Sequence, residues 1–304
     1  MGFRQGKNFR QETMPKEDKM KGYYTERNYK GDMPYTDLAL ERHRADIKLQ
    51  GVEYRKEKTA IGYLERIKIS SKIGAESIGR PMGLYDTLSM RRMDLLDTTE
   101  ISDAIDQVAA ELSRMIEDSD IFPGRLLVAG LGNPELTPDS VGYLCARQVK
   151  PTMHIKEMDR RLFTRLNCAE IAVITPGVMA TSGLDAAITL KGVCDLIRPD
   201  AVIAIDSLCA RSAERLGSTV QISNTGISPG SGIGNPRLSI GVETLGVPVI
   251  SIGVPTVIDS RMLCCDNSTT CEPMFVSPKE ISEIVSVGAE IIGKAINQAF
   301  GIYP

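Results

Sequence analysis

The sequence predicts an α/β fold, a three-layer α/β/α sandwich around a mostly parallel sheet, with a small antiparallel element near its amino end. Two patterns and one composition predict it. Short Val/Ile/Leu/Ala runs recur through the second half of the chain and alternate with helical periodicity, as strands covered on both faces do. Between Gly51 and Asp97 shorter β-type runs are separated by Gly and Pro, which suits antiparallel pairing. The 304 residues are 42% hydrophobic and 25% charged, enough for one large core.

From the amino end, Met1 to Tyr35 contain no Leu, Ile, Val, Ala or Cys. Such a stretch cannot bury enough apolar surface to offset its ordering entropy, so residues 1–37 read as a flexible extension. Leu38 is the first aliphatic residue, and 38–304 read as a single α/β domain. Runs at Thr59 to Leu64 and Arg66 to Ser70 supply the antiparallel element. Asp97 and Glu100 stand at capping-box spacing before Ile101, Ile105, Val108, Leu112 and Met115, an amphipathic helix. Buried strands are expected at Leu126 to Ala129, Ile171 to Thr175, Ala201 to Ile205 and Val249 to Ile252. Helices are expected at Pro138 to Gln148, Leu184 to Ile197, Leu208 to Leu216 and Pro278 to Phe300. The last is expected to start on a Ser277 cap with Pro278 in its first turn and Glu280 completing a capping box.

Several function classes are disfavoured by composition. A net charge of -3 gives no basic footprint for nucleic acid. No window approaches the roughly 18 uninterrupted apolar residues of a spanning helix, and the polar amino end lacks the apolar run of a secretory signal, so a cytoplasmic location is expected. Seven cysteines, an odd and scattered set, suit reduced thiols. Cys264, Cys265 and Cys271 lack a fourth partner at zinc spacing, so no metal is expected. The Gly130 and Gly132 turn has Glu135 where a dinucleotide fingerprint needs its third small residue, so no cofactor is expected either. A nucleotide-binding or regulatory role for that loop is the alternative reading. The second Gly-rich stretch, Gly226 to Asn235, reads as a loop on the rim of a cleft.

In an open α/β sheet the ligand site lies outside the carboxyl ends of the strands. Asp139 follows the first parallel strand at a helix start, and Asp206 ends the run Ala201 to Ile205. Two carboxyls on one rim push their pKa values apart, so that one can donate a proton while the other activates water, as peptide hydrolysis requires. The same placement suits Asp as a helix cap with no catalysis. Only His43 and His154 are available to a serine or cysteine scheme, which would have to bring His154 to Ser207 or Ser212. No H-E-x-x-H motif is present.

Several long segments, in one order, carry a family resemblance. They are Val128-Ala129-Gly130-Leu131-Gly132-Asn133 with Thr137-Pro138-Asp139, Thr175-Pro176-Gly177-Val178-Met179, Ala204-Ile205-Asp206-Ser207-Leu208 with Ala210-Arg211-Ser212, and Val220-Gln221-Ile222-Ser223. Gly226-Ile227 with Pro229-Gly230-Ser231-Gly232, and Glu243-Thr244-Leu245-Gly246 through Pro255-Thr256-Val257, complete the set. From Thr36 to its end the chain resembles the germination proteases of spore-forming Firmicutes. That resemblance implies a phosphorylase/hydrolase-like fold similar to the hydrogenase-maturation endopeptidases, a tetrameric zymogen in the forespore, and small acid-soluble spore proteins as substrate. It implies an atypical aspartic mechanism with Asp139 and Asp206 in the two essential positions. It further implies self-cleavage between Asp37 and Leu38, within Thr36-Asp37-Leu38-Ala39-Leu40-Glu41. A catalytically silent protein that only binds spore proteins is a further alternative. Compared with the family, the amino extension is longer, and the Cys-containing loop between Asp259 and Pro273 is shorter.

Overall fold

The computed structural model describes residues 36–43, 49–230, 237–263 and 274–302. Pro34–Pro304 groups as one compact unit. Most of the expected 1–37 extension, and all of Cys264, Cys265 and Cys271, lie outside the described residues.

Nine strands form one sheet among the described residues. β1 (Val52–Lys58), β2 (Gly62–Ile69) and β3 (Gly83–Met90) run antiparallel and continue into β7 (Thr219–Ser223) and β8 (Val249–Asp259). Beyond β8 come β6 (Ala201–Ala210), β4 (Arg125–Gly130) and β5 (Glu170–Ile174), and β8, β6, β4 and β5 are mutually parallel. A short β9 (Phe275–Val276) pairs with β8. The antiparallel element is therefore a wing of the main sheet, joined through β3 to β7.

Alternate strand residues explain the three layers. Leu126, Val128, Ile203, Ile205, Ile250 and Ile252 pack under α2 (Thr98–Glu117), α3 (Val141–Gln148) and α9 (Ile281–Ala299). Their neighbours Leu127, Ala129, Val202, Ala204 and Val249 face α7 (Ala186–Ile197) and α8 (Val242–Leu245). This is the period of two, with both faces covered. α1 (Lys72–Ile78) covers the wing with Ile67, Ile69 and Tyr85. α4 (Met153–Met158), α5 (Arg160–Leu166) and α6 (Met179–Ser182) are short connectors that the sequence pattern did not specify.

α2 begins on the expected box: the Asp97 carboxylate accepts from the Thr99 and Glu100 amides, and Glu100 accepts from the Asp97 amide, each at 2.9 Å. Its Glu111 pairs with Arg66 of β2 at 3.0 Å, and its Arg114 pairs with buried Asp86 of β3, pinning the helix to the wing. Burial is the first cause that pushes Asp86 up to about 6, with the Arg114 charge opposing it.

Three expectations are corrected. No helix spans Leu208 to Leu216, because β6 runs on to Ala210 and only Ala213–Arg215 forms a 3-10 turn. The parallel partner β8 is long enough to keep pairing, from Asp206 beside Gly253 to Ala210 beside Ile258, so its ladder satisfies the backbone that a helix would have satisfied. The run at Thr59 to Leu64 is half turn: the Thr59 amide donates to the Gly62 carbonyl at 2.9 Å and β2 starts at Gly62, while β1 precedes it. α9 starts at Ile281 without a side-chain cap, and Glu280 pairs instead with Arg92 at 3.2 Å.

The β4 to α3 connection is tightly packed. A Cβ on Gly142 would lie 2.2 Å from the Ile205 carbonyl oxygen, and one on Gly130 would lie 2.2 Å from the Gly142 oxygen. Helix and strands touch backbone to backbone, so Gly142→Ala forces a shift worth about 1–3 kcal/mol. Thermal unfolding should show a fall of several degrees, and an unchanged midpoint would refute this close packing.

Candidate active site

Asp206 lies just past the carboxyl end of β4, on a strand that continues beyond its neighbour. It is 6% exposed, and its Oδ1 accepts the amide of Ser207 at 2.9 Å. Burial first, then the charge of Asp139, holds its carboxyl well above the ordinary range. Asp37 pushes the same way, and Arg237 opposes it. Asp139 closes the 3-10 turn Thr137–Asp139 before α3. Its Oδ2 accepts the Asn133 amide at 2.9 Å, and its backbone oxygen accepts the same amide at 3.0 Å. Burial raises its pKa, against the Asn133 amide and Arg237.

Gly132 makes this turn possible. Its φ is +94°, and a Cβ there would lie 2.0 Å from the Asp139 carbonyl oxygen. The close approach allowed by Gly130 and Gly132 is therefore to the chain's own helix start and to Asp139. The Asn133 amide that the loop offers is already taken by a carboxylate, which leaves a phosphate less to bind.

Across the sheet, Asp206 pairs with Gly253 of β8, and Gly253 pairs with Gln221 of β7. Directly paired residues project to one face, so the acid and the amide flank a strand position with no side chain. A Cβ on Gly253 would lie 2.5 Å from Leu208, so glycine is what lets the Leu208 side chain lie over this strand position.

Residues 36–41 lie against the same region. The Asp37 amide donates to the Cys209 carbonyl at 2.8 Å, and the Cys209 amide donates to Asp37 Oδ2 at 2.9 Å. Arg80 stands 3.6 Å from the other oxygen of that carboxylate. Leu38 is fully buried among Leu208, Ala210, Leu216 and Ile258. Glu41 accepts the Arg211 and Ser212 amides at 2.6 and 2.8 Å. Asp37, Arg80, Tyr85, Gln221, Ser223 and Gly253 all line one cleft, together with Gly226 and Ser228 of the Gly-rich loop. Ser231 to Asn235 of that loop lie outside the described residues.

A family model described as germination protease matches residues 35–271. The chain belongs to the germination protease family. It is similar to the germination protease of Caldanaerobacter subterraneus subsp. tengcongensis, 40% identical over 74% of this chain and 69% of the relative. Similar relatives occur in Bacillus cereus strain 03BB102, 37% identical over 74% of this chain, and Clostridium perfringens strain ATCC 13124, 35% identical over 76% of this chain and 72% of the relative. The chain spans 63% of the Bacillus relative's length. A NiFe hydrogenase maturation protease from Thermococcus kodakarensis aligns over 62% of this chain and 99% of its own, with 17% identity and a TM-score of 0.36. Membership of the germination protease family places the chain among the peptidases.

In this germination protease family member the fold brings Asp139 and Asp37 close enough to Asp206 for their charges to act on it. It does not bring His154 to Ser207. Thr152 bonds to Ile171 near the start of β5, in line with Leu126 and Ala201, five residues before Asp206 or roughly 16 Å along the strand. His43 is stacked on Tyr54, 4.7 Å between ring centres, in the wing. Three residues at the site escaped the sequence reading: Gln221, Arg80 and Arg237. Only Gln221 carried a signal, a lone amide inside Val220-Gln221-Ile222.

A carboxyl whose folded-state pKa is raised loses stability as pH climbs from its unfolded value, about 3.9, through its folded value. Asp206→Asn keeps an acceptor for the Ser207 amide and carries no charge. Its melting temperature should match the native chain near pH 3.5 and exceed it by a few degrees at pH 7, a gap that opens with rising pH. A gap that shrank with rising pH would contradict this account of the site.

Proposed function

We propose that the chain is an endopeptidase of atypical aspartic type, made as a zymogen, that cuts itself between Asp37 and Leu38 and then cuts small acid-soluble spore proteins at germination. The observation that carries this reading is the docking of Asp37 on Cys209 of β6, three residues past Asp206, with Leu38 buried beside it and the Asp37 charge acting on Asp206. Asp206, buried and next to a second carboxyl, keeps the pair's shared proton and protonates the departing amine. Asp139, more open to solvent and supported by the Asn133 amide, carries the charge and takes a proton from the attacking water. Arg80 and the Cys209 amide select an acidic residue before the cut, and the pocket of Leu208, Ala210, Leu216 and Ile258 selects an aliphatic one after it. A homotetramer in the forespore and spore core completes the proposal, on the strength of the family resemblance.

The test is to incubate the purified full chain at mildly acidic pH and sequence the new amino terminus, then to add a spore protein. Leu38 should be exposed as the new terminus. Asp139→Asn and Asp206→Asn should each slow self-processing and spore-protein cleavage by about 10²- to 10⁴-fold while remaining folded. Full activity in either variant, or association with spore protein without cleavage by the native chain, would overturn the reading.

A further inference from the structure

The side-chain amide of Gln221 brackets Leu38, touching the carbonyl of the Asp37–Leu38 peptide on one side and the amide of the Leu38–Ala39 peptide on the other. Its Nε2 donates to the Asp37 carbonyl oxygen at 3.2 Å, and its Oε1 accepts the Ala39 amide at 2.9 Å. The orientation is not arbitrary. A backbone amide can only donate, so Ala39 fixes the oxygen end of the Gln221 side chain, and the NH₂ end must then face the carbonyl. Gln221 is 8% exposed, on a strand held on one side by β3 and on the other by β8, so this donor is presented by a rigid element in a site shielded from water.

We propose that Gln221 is a catalytic residue, the donor that stabilises the oxyanion formed at the carbonyl of the cleaved bond. The inference rests on the reading that Asp37–Leu38 is cut. In the step, water oxygen bonds to the Asp37 carbonyl carbon and its proton passes to the carboxylate of the acid pair. The carbonyl π electrons move to oxygen, where the Gln221 N–H meets the new negative charge. As the C–N bond breaks, its electron pair stays on the Leu38 nitrogen, which takes the proton held by the pair. One water is consumed, and one carboxyl and one amine are released. At 3.2 Å the contact is long in the uncut chain and shortens as charge builds on the oxygen, so it stabilises the transition state more than the ground state. Asp206 and Gln221 pair with Gly253 from its two sides and so project to the same face of the sheet.

Two variants of the full chain separate this role from a simple clasp on residues 37–39. Gln221→Glu, assayed at a pH high enough to ionise the new carboxyl, keeps an acceptor for the Ala39 amide and loses the donor, whereas Gln221→Ala loses both. The first-order rate at which the Leu38 terminus appears should fall by about 10²- to 10³-fold in both, the usual effect of removing one oxyanion donor. In Gln221→Glu the Ala39 amide should remain protected from hydrogen exchange, showing the segment still docked, and thermal unfolding should report an intact fold. Processing of either variant within threefold of the native rate overturns the proposal. So does slowing confined to variants in which Ala39 loses its protection, because that is the signature of a clasp. A native chain that exposes no Leu38 terminus removes the parent reading and this one together, an outcome distinct from a native chain that processes normally beside an unaffected Gln221→Ala.

Discussion

Taking the Asp206 carboxyl out of water beside a second acid is the constraint on which the site depends. An isolated carboxylate at that depth is costly, so the group holds its proton to an unusually high pH, and Asp139 and Asp37 strengthen that tendency. The fold sustains this because β6 continues past the end of β4, placing Asp206 where its backbone is still paired while its side chain reaches the sheet's rim. Strand pairing and core burial around it stabilise a side chain that is itself unfavourable when ionised, a common arrangement at functional sites.

Close backbone packing supplies the precision. Gly130, Gly132 and Gly142 let the β4 to α3 turn fold onto β6, which brings the Asp139 charge within reach of Asp206. Gly253, between Asp206 and Gln221 in the sheet, makes room for the Leu208 side chain that packs against Leu38. Residues 36–41 occupy this ground through backbone hydrogen bonds and two side-chain anchors, a buried Leu38 and a Glu41 carboxylate held by successive amides. The segment turns at Ala39 into a 3-10 turn at Leu40–Arg42, so Glu41 reaches the Arg211 and Ser212 amides from a turn rather than from an extended strand.

Parts of the architecture were legible because their signals are local. The apolar runs at β4, β5, β6 and β8 mark strands buried on both faces, and the Asp97 box marks the start of α2 with a geometry that depends on four consecutive residues. The failures share a cause. The stretch after Asp206 has no clean period, and it is strand only because β8 lies beside it. Ser277 and Glu280 sit at box spacing, yet Glu280 is drawn to Arg92, a residue distant in sequence. Asp139 and Asp206 could be singled out because strand ends are where α/β sheets place ligands.

By itself the sequence determined the alternation of buried strands and amphipathic helices and, through ordered motifs, the family. Each of these is carried by composition or by spacing within a short window. Tertiary structure alone decided that the wing joins the main sheet, that Asp37 docks on Cys209 three residues past Asp206, and that Gln221, two strands away, bonds to the same segment. Those facts follow from strand order and register, and register is fixed by side chains meeting across a sheet rather than by any residue's neighbours in the chain.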